Sequence, residues 1–169
     1  IWDASSAPED AWHVRRSYGS DTWRIGYAVT IWGQTLLADY ATAKIYTLDA
    51  DTHKEGTEPL VRYVASEPLG PGSYFTLNEL ELLAEPGVGI LSGQGSDPKV
   101  WCELSRNGGK TWGARMERRL GARGEYEKRI IWDGGFGQFR PEGGVVRFGM
   151  SDPAAFVVKA ALADYTVDA

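Results

Sequence analysis

The stretch Ser92-Gly-Gln-Gly-Ser-Asp-Pro-Lys-Val-Trp-Cys-Glu-Leu-Ser-Arg-Asn-Gly-Gly-Lys-Thr-Trp112 decides how the chain is read. Val100, Cys102 and Leu104 alternate with Trp101 and Glu103, so a strand here carries the two sets on opposite faces. Ser105-Arg106-Asn107-Gly108-Gly109 supplies a tight reversal, and Lys110-Thr111-Trp112 is expected to open the return strand. The pattern Ser-x-Asn-x-Gly-x-Thr-Trp is close to the Asp-box hairpin, Ser-x-Asp-x-Gly-x-Thr-Trp. In such a turn a short acid or amide side chain satisfies backbone N–H groups and glycine takes positive φ. Ser105, Asn107, Gly108, Gly109 and Trp112 are therefore the expected structural turn, with Trp112 packed into the core.

Working outward, the 169 residues suffice for one large or two small domains. With 21 glycines, 8 prolines and 7 tryptophans, the composition describes short strands joined by tight turns, an all-β class. A net charge of −5 argues against a generally basic DNA-coating surface. The single cysteine, Cys102, has no internal disulfide partner and sits in an apolar strand pattern, which marks it as a buried packing thiol. Two histidines are too few for a His-rich metal site, and no apolar run reaches the roughly 20 residues of a membrane helix. The chain starts Ile1-Trp2-Asp3 and reads as a piece of a longer protein.

Before the central stretch the rhythm is that of a meander or a propeller blade. Trp12, Val14 and Arg16 suggest a short strand, and residues 23–32 are rich enough in aromatic and β-branched side chains for a central one. Residues 35–40 pair naturally with 44–49 across Ala41-Thr42-Ala43. Asp49-Ala-Asp51-Thr-His53-Lys54 lacks the third acid and the glycine of a calcium loop, which leaves a solvated polar loop. Residues 60–66 form a further strand. Glu67-Pro-Leu-Gly-Pro-Gly-Ser73 is then the expected boundary, dividing a propeller-like segment (1–66) from a β-sandwich-like domain (74–169) through a linker at 67–73.

Two segments fit both periods. Leu77, Leu80, Leu83 and Ala84 make a helix face, whereas Leu80, Leu82 and Ala84 make a strand face. Asp152, Pro153 and the following alanines favour a helix, whereas Phe156, Val158, Ala160 and Leu162 alternate as in a strand. Residues 115–129 carry Arg115, Arg118, Arg119 and Arg123 with Lys128 and Arg129, set against Glu117, Glu125 and Glu127. Mixed charge with little aromatic interleaving describes a solvated or subunit-interface face, and the four arginines 115–123 are its expected contacts. Gly134-Gly-Phe-Gly-Gln-Phe139 reads as a flexible turn, and residues 145–150 as another strand.

An Asp-box raises the question of a sialidase, whose arginine cluster grips a carboxylate and whose tyrosine attacks the sugar. Phe139-Arg140-Pro141-Glu142 is the one stretch similar to that family's arginine motif. It follows the box instead of preceding it, and the box occurs once, with Asn107 in the acid's place. Hydrolysis is therefore not the expected activity. Gly93-Gln-Gly-Ser-Asp-Pro98 lacks the third glycine and the following helix of a phosphate loop. A carbohydrate-binding β domain of a tail or cell-surface protein is the runner-up, because seven tryptophans offer sugar-stacking faces.

Several signatures occur in one order. They are Ala38-Asp39-Tyr40 with Lys44-Ile-Tyr-Thr-Leu-Asp49; Gly87-Val-Gly89 before Gly93-Gln-Gly-Ser-Asp-Pro98; and Ser105-Arg-Asn-Gly-Gly-Lys-Thr-Trp112. Gly121-Ala-Arg-Gly-Glu-Tyr126 with Arg129-Ile-Ile-Trp132 follows, and then Ser151-Asp-Pro153 before an apolar end. Together they resemble the C-terminal part of the packaged-DNA stabilisation proteins of short-tailed bacteriophages, which are head-completion and tail-hub proteins related to the tail nozzle. The resemblance implies a structural virion protein of the phage neck, assembled in the host cytoplasm, with no active site and no cofactor. It implies a homo-oligomeric ring, usually of six copies, that closes the DNA exit channel. Its partners would be the portal or adaptor and a fibre or needle protein, with passive contact to DNA in the channel. It also turns the reading of the tail toward a strand, and it makes residues 136–144 an insertion.

Overall fold

A computed structural model describes residues 16–168, and every described element in it is a β-strand. The candidate strand around Trp12 and Val14 lies outside the described residues. The chain divides into two compact units, one ending at Leu60 and the other starting at Val61.

The first unit is built on a three-stranded meander. Its strands are β1 (Ile25–Ile31), β2 (Gln34–Asp39) and β3 (Ile45–Leu48), in the order β1-β2-β3. The strand expected to be central, β1, is thus an edge strand, because two short turns place β2 between its neighbours. The register pairs Tyr27 with Ala38 and Ala38 with Ile45, so one face carries Tyr27, Val29, Ile31, Leu36 and Ile45. The other face carries the buried Leu37 beside Tyr46. Asp39 is buried too; its carboxylate accepts from the N–H groups of Ala41 (2.7 Å) and Thr42 (3.0 Å), which shapes the β2–β3 turn. A short hairpin follows, β4 (Lys54–Glu55) with β5 (Glu58–Pro59). Ser17 Oγ ties it to the segment ahead of β1 by donating to Glu55 at 2.6 Å. The polar loop before it closes on Asp49, which accepts from Asp51 N and Thr52 Oγ1.

The turn between β1 and β2 consists of Trp32 (φ 50°) and Gly33 (φ 76°). A two-residue loop of type I′ needs positive φ at both positions, and a bulky L-residue adopts that conformation at a cost of about 1–2 kcal/mol. Trp32 gains nothing from the unit in return, since it is 92 % exposed. Trp32→Asn is expected to stabilise the first unit by about 1 kcal/mol, read as a rise in the midpoint of its denaturation curve; a fall would show that the indole contributes contacts.

The second unit is a two-sheet sandwich. One sheet holds β6 (Arg62–Ala65), β12 (Val145–Met150), β8 (Lys99–Ser105) and β9 (Met116–Arg119), in that order and antiparallel throughout. The other is organised on β7 (Phe75–Ala84). Along one side of β7 run β10 (Ile130–Asp133) and the short β11 (Gln138–Phe139); along the other runs β13 (Val158–Val167). Phe75, Leu77, Leu80, Leu82 and Trp132 of this sheet meet Val100, Cys102, Val146, Phe148 and Met150 of the first, with Leu120 and Ala154 closing the ends. Each such large side chain removed from water contributes roughly 1.5–3 kcal/mol, so this layer is the main source of stability.

The first ambiguous segment is strand β7; the second is strand only from Val158 on, as β13, with residues 152–157 forming a bend before it. The strand at 62–65, placed by the sequence ahead of the Pro/Gly stretch, pairs with β12 inside the second unit. The segment expected to be a flexible turn, 134–139, contributes Phe136 and Phe139 to the core, each 2 % exposed. Phe139 stacks on Phe75 with ring centroids 5.3 Å apart, so the glycines around these aromatics serve to bend a buried segment. Cys102 is fully buried, and burial pushes its thiol up to about 12. Cys102 is therefore expected to resist a thiol-specific disulfide reagent in the native protein and to react fully in denaturant; rapid native labelling would contradict the packing.

Candidate functional site

The turn that follows β8 is held by side chains. Ser105 Oγ accepts from the N–H groups of Gly109 (2.8 Å) and Asn107 (3.3 Å) and donates to Asn107 Oδ1 (2.9 Å). Asn107 Oδ1 also accepts from Thr111 N (2.9 Å), and its amide donates to Thr111 Oγ1 (2.9 Å). Gly108 and Gly109 take φ of 67° and 84°. Asn107 thus stands where a carboxylate would accept, and it adds a donor of its own.

Two expectations for this hairpin are corrected. The return strand starts at Met116, not Lys110, and pairs Met116 with Cys102. Residues 110–115 form a wider loop, started by Gly113 N donating to Leu104 O at 2.8 Å. Trp112 is half-buried on the outer side of the sheet instead of in the core. The Arg147 guanidinium lies over its ring at 3.9 Å. Asn107→Ala is expected to cost about 1 kcal/mol, whereas Asn107→Asp keeps the acceptor and should denature close to the parent protein. Equal losses in both would show that the acceptor is unimportant.

Trp112 belongs to a layer on the outer face of the β6-β12-β8-β9 sheet. Glu103, 7 % exposed, accepts from Arg115 Nε (3.1 Å) and Arg147 Nε (2.6 Å). Arg115 lies 4.2 Å over Trp101, and Arg147 lies near Trp101 and Tyr63 as well as over Trp112. Alternating guanidinium and indole planes around one carboxylate form a stiff lid over the sheet. Sequence reasoning placed Trp101 and Glu103 on this face but missed Arg147, which is 32 or more residues from every other member. The available signal was the charged residue alternating inside β12.

Two of the other arginines expected at an interface, Arg118 and Arg119, are engaged within the chain. Arg118 donates to Ile131 O (2.8 Å) and lies 3.6 Å from Asp133. Arg119 grips Asp97 (2.7 Å) and Glu125 (3.1 Å), and the hydrogen bond to Asp97 raises its basicity further. Arg129 forms a bidentate pair with Glu81 (2.8 and 2.7 Å), which holds the Glu81 carboxyl below its usual range. Arg123 is exposed and forms no ion pair among the described residues. The local excess of positive charge is thus largely compensated inside the molecule, which leaves little for phosphates.

Arg106 secures the loop before β12: it donates to the carbonyls of Phe136 and Gln138 and lies 4.5 Å over Phe139. Arg140 is exposed, and among the described residues no tyrosine hydroxyl is hydrogen-bonded to a carboxylate. No cluster of three metal-binding side chains occurs among the described residues. Chemically, this is a surface of fixed charge pairs and stacked planes.

Residues 70–166, more than half of the chain, match the model of the family described as bacteriophage P22 Gp10, β-sandwich. The match spans β7 through nearly all of β13. No curated protein matches the chain.

Proposed function

We propose that this chain, which belongs to the bacteriophage P22 Gp10 β-sandwich family and is a non-enzymatic structural phage protein, works in the head-to-tail connector. There it forms part of the tail hub, helps close the DNA exit channel after packaging and so stabilises the packaged DNA. The observation that carries this reading is the apolar surface the chain leaves open. Tyr27 (73 %), Ile45 (72 %) and Leu162 (52 %) lie on regular strands, where a solitary globular protein would place polar residues. A component of a multi-protein shell needs such surfaces for its neighbours.

The neighbours in this reading are copies of the chain in a ring of six, the portal or adaptor, and a fibre or needle protein. Assembly occurs in the host cytoplasm, and the finished location is the neck of the virion. The compensated arginines and the net charge of −5 suit passive contact with DNA, which must slide past. Apolar side chains on both faces of the β1-β2-β3 meander support a propeller-like blade packed between sheets. The Ser105–Asn107–Thr111 bonding supports an Asp-box-type turn used for architecture.

Particles assembled without this protein test the proposal. They are expected to package DNA and then lose it, so that the genome becomes nuclease-sensitive and added protein restores protection. Particles that keep their DNA and stay infectious without it would overturn the connector role.

A further inference from the structure

The sandwich is closed on one side and open on the other. On the closed side β10 lies against β9, with Trp132 Nε1 donating to Met116 O (3.0 Å) and Arg118 Nε to Ile131 O (2.8 Å). On the open side the sheets end in β13 and β6. The register identifies the inward face of β13: Ala161 pairs with the buried Leu82, Ala163 with Leu80, Tyr165 with Leu77 and Val167 with Phe75. These residues continue the core, and Tyr165 meets Phe75 edge-on at 5.7 Å. Yet β13 is exposed from Lys159 to Val167, with Tyr165 at 47 % and Val167 at 51 %. In the opposite sheet Val64 of β6, inward-facing beside Phe148, is 45 % exposed. The outer edge of β6 pairs with no strand among the described residues. At this side both sheets therefore leave inward-facing side chains uncovered.

We infer that this side of the sandwich accepts an extended segment of a different polypeptide, which adds to the free edge of β6 and lays apolar side chains, one at every second position, over the inward face of β13. The chemistry of the occupant follows from the site. Backbone N–H and C=O groups on the β6 edge call for an extended partner, and the period-two strip calls for alternating apolar residues. Ala161, Ala163, Tyr165, Val167 and Val64 carry no charge, so charged side chains of the segment would point outward. The strip is one strand wide and carries only Ala161, Ala163, Tyr165, Val167 and Val64, well short of the roughly 800 Å² per partner that a face-to-face dimer uses. That width fits one strand and not the face of a second copy. The inference concerns the capacity of this edge and holds wherever in the virion the chain sits.

A strand supplied in cis tests it. The probe is the full chain carrying an appended flexible Gly/Ser linker and a (Thr-Val) repeat of strand length, compared with a (Thr-Ser) repeat. The Thr-Val strand is expected to raise Tm by roughly 5 °C and to slow amide exchange at Arg62–Ala65 by roughly tenfold or more. Ala163→Asp, on the inward face, should abolish both gains, while Leu162→Asp, on the outward face, should leave them. Equal behaviour of the two repeats, or protection that appears only along β13, would overturn the inference. Dimerisation of the parent chain that Ala163→Asp abolishes would also overturn it, since the occupant would then be a second copy.

Discussion

Replacing Trp132 with alanine is expected to destabilise the second unit by about 3–5 kcal/mol, the largest effect of any single truncation in it. Trp132 is 1 % exposed, and its ring lies 5.4 Å from that of Phe148, so β10 and β12 meet through it across the sandwich. Its Nε1 also donates to Met116 O at 3.0 Å, which fastens β9 at the closed side. Truncation removes the packed ring, leaves a void that the rigid sheets fill poorly, and orphans a carbonyl. Since whole domains are stable by about 5–15 kcal/mol, the variant should unfold at a much lower urea concentration or populate the unfolded state without denaturant. Trp132→Phe separates the contributions, retaining most of the packing while losing the hydrogen bond. A loss below about 1 kcal/mol for the alanine variant would mean that Trp132 does not link the sheets.

Gly149→Ala is expected to cost about 3 kcal/mol although it adds a single methyl group. A Cβ at this position would stand 2.2 Å from Trp101 Cζ2, 2.5 Å from Cη2 and 2.7 Å from Arg62 O. Gly149 lies opposite Trp101 on one side and Tyr63 on the other, so the indole occupies the space a side chain would take. Trp101 cannot retreat easily, because it is 4 % exposed and Arg115 lies over it. The methyl must displace the indole or stretch the β6–β12 pairing. A double-mutant cycle with Trp101→Ala distinguishes these: if the indole is the obstacle, Gly149→Ala should cost little in the Trp101→Ala background. An undiminished cost there would assign the strain to the backbone.

Much of the sandwich was legible because its strands alternate cleanly. Val100 and Cys102 are fully buried and Leu104 packs partly buried against the same core, while Trp101 and Glu103 on the opposite face are covered from outside by the Arg115 and Arg147 side chains. The segment 74–85 was ambiguous for a specific reason. The pairing with β13 slips between Leu77 and Leu80, so two inward residues stand three apart and imitate a helical period. A second slip between Val158 and Ala160 blurs the alternation of the tail in the same way. The late start of the return strand was hidden because Thr111 and Trp112 directly after the glycine turn read as the opening of a strand; the pairing of Met116 with Cys102 decides it. Of the candidate contact residues, Arg115, Arg118 and Arg119 were recognised as a charged face, but their partners Glu103, Asp133 and Asp97 come from other strands and loops. Such pairing is tertiary and leaves no mark in sequence spacing.

Electron cryomicroscopy of the purified particle, resolving the junction between head and tail, tests the structural role most directly. A ring of copies around the DNA exit channel is expected there, with the β-sandwich unit fitting the density and its outward strands meeting neighbouring subunits. A neck without density for this fold, in particles from which the protein is absent by mass spectrometry, would contradict it.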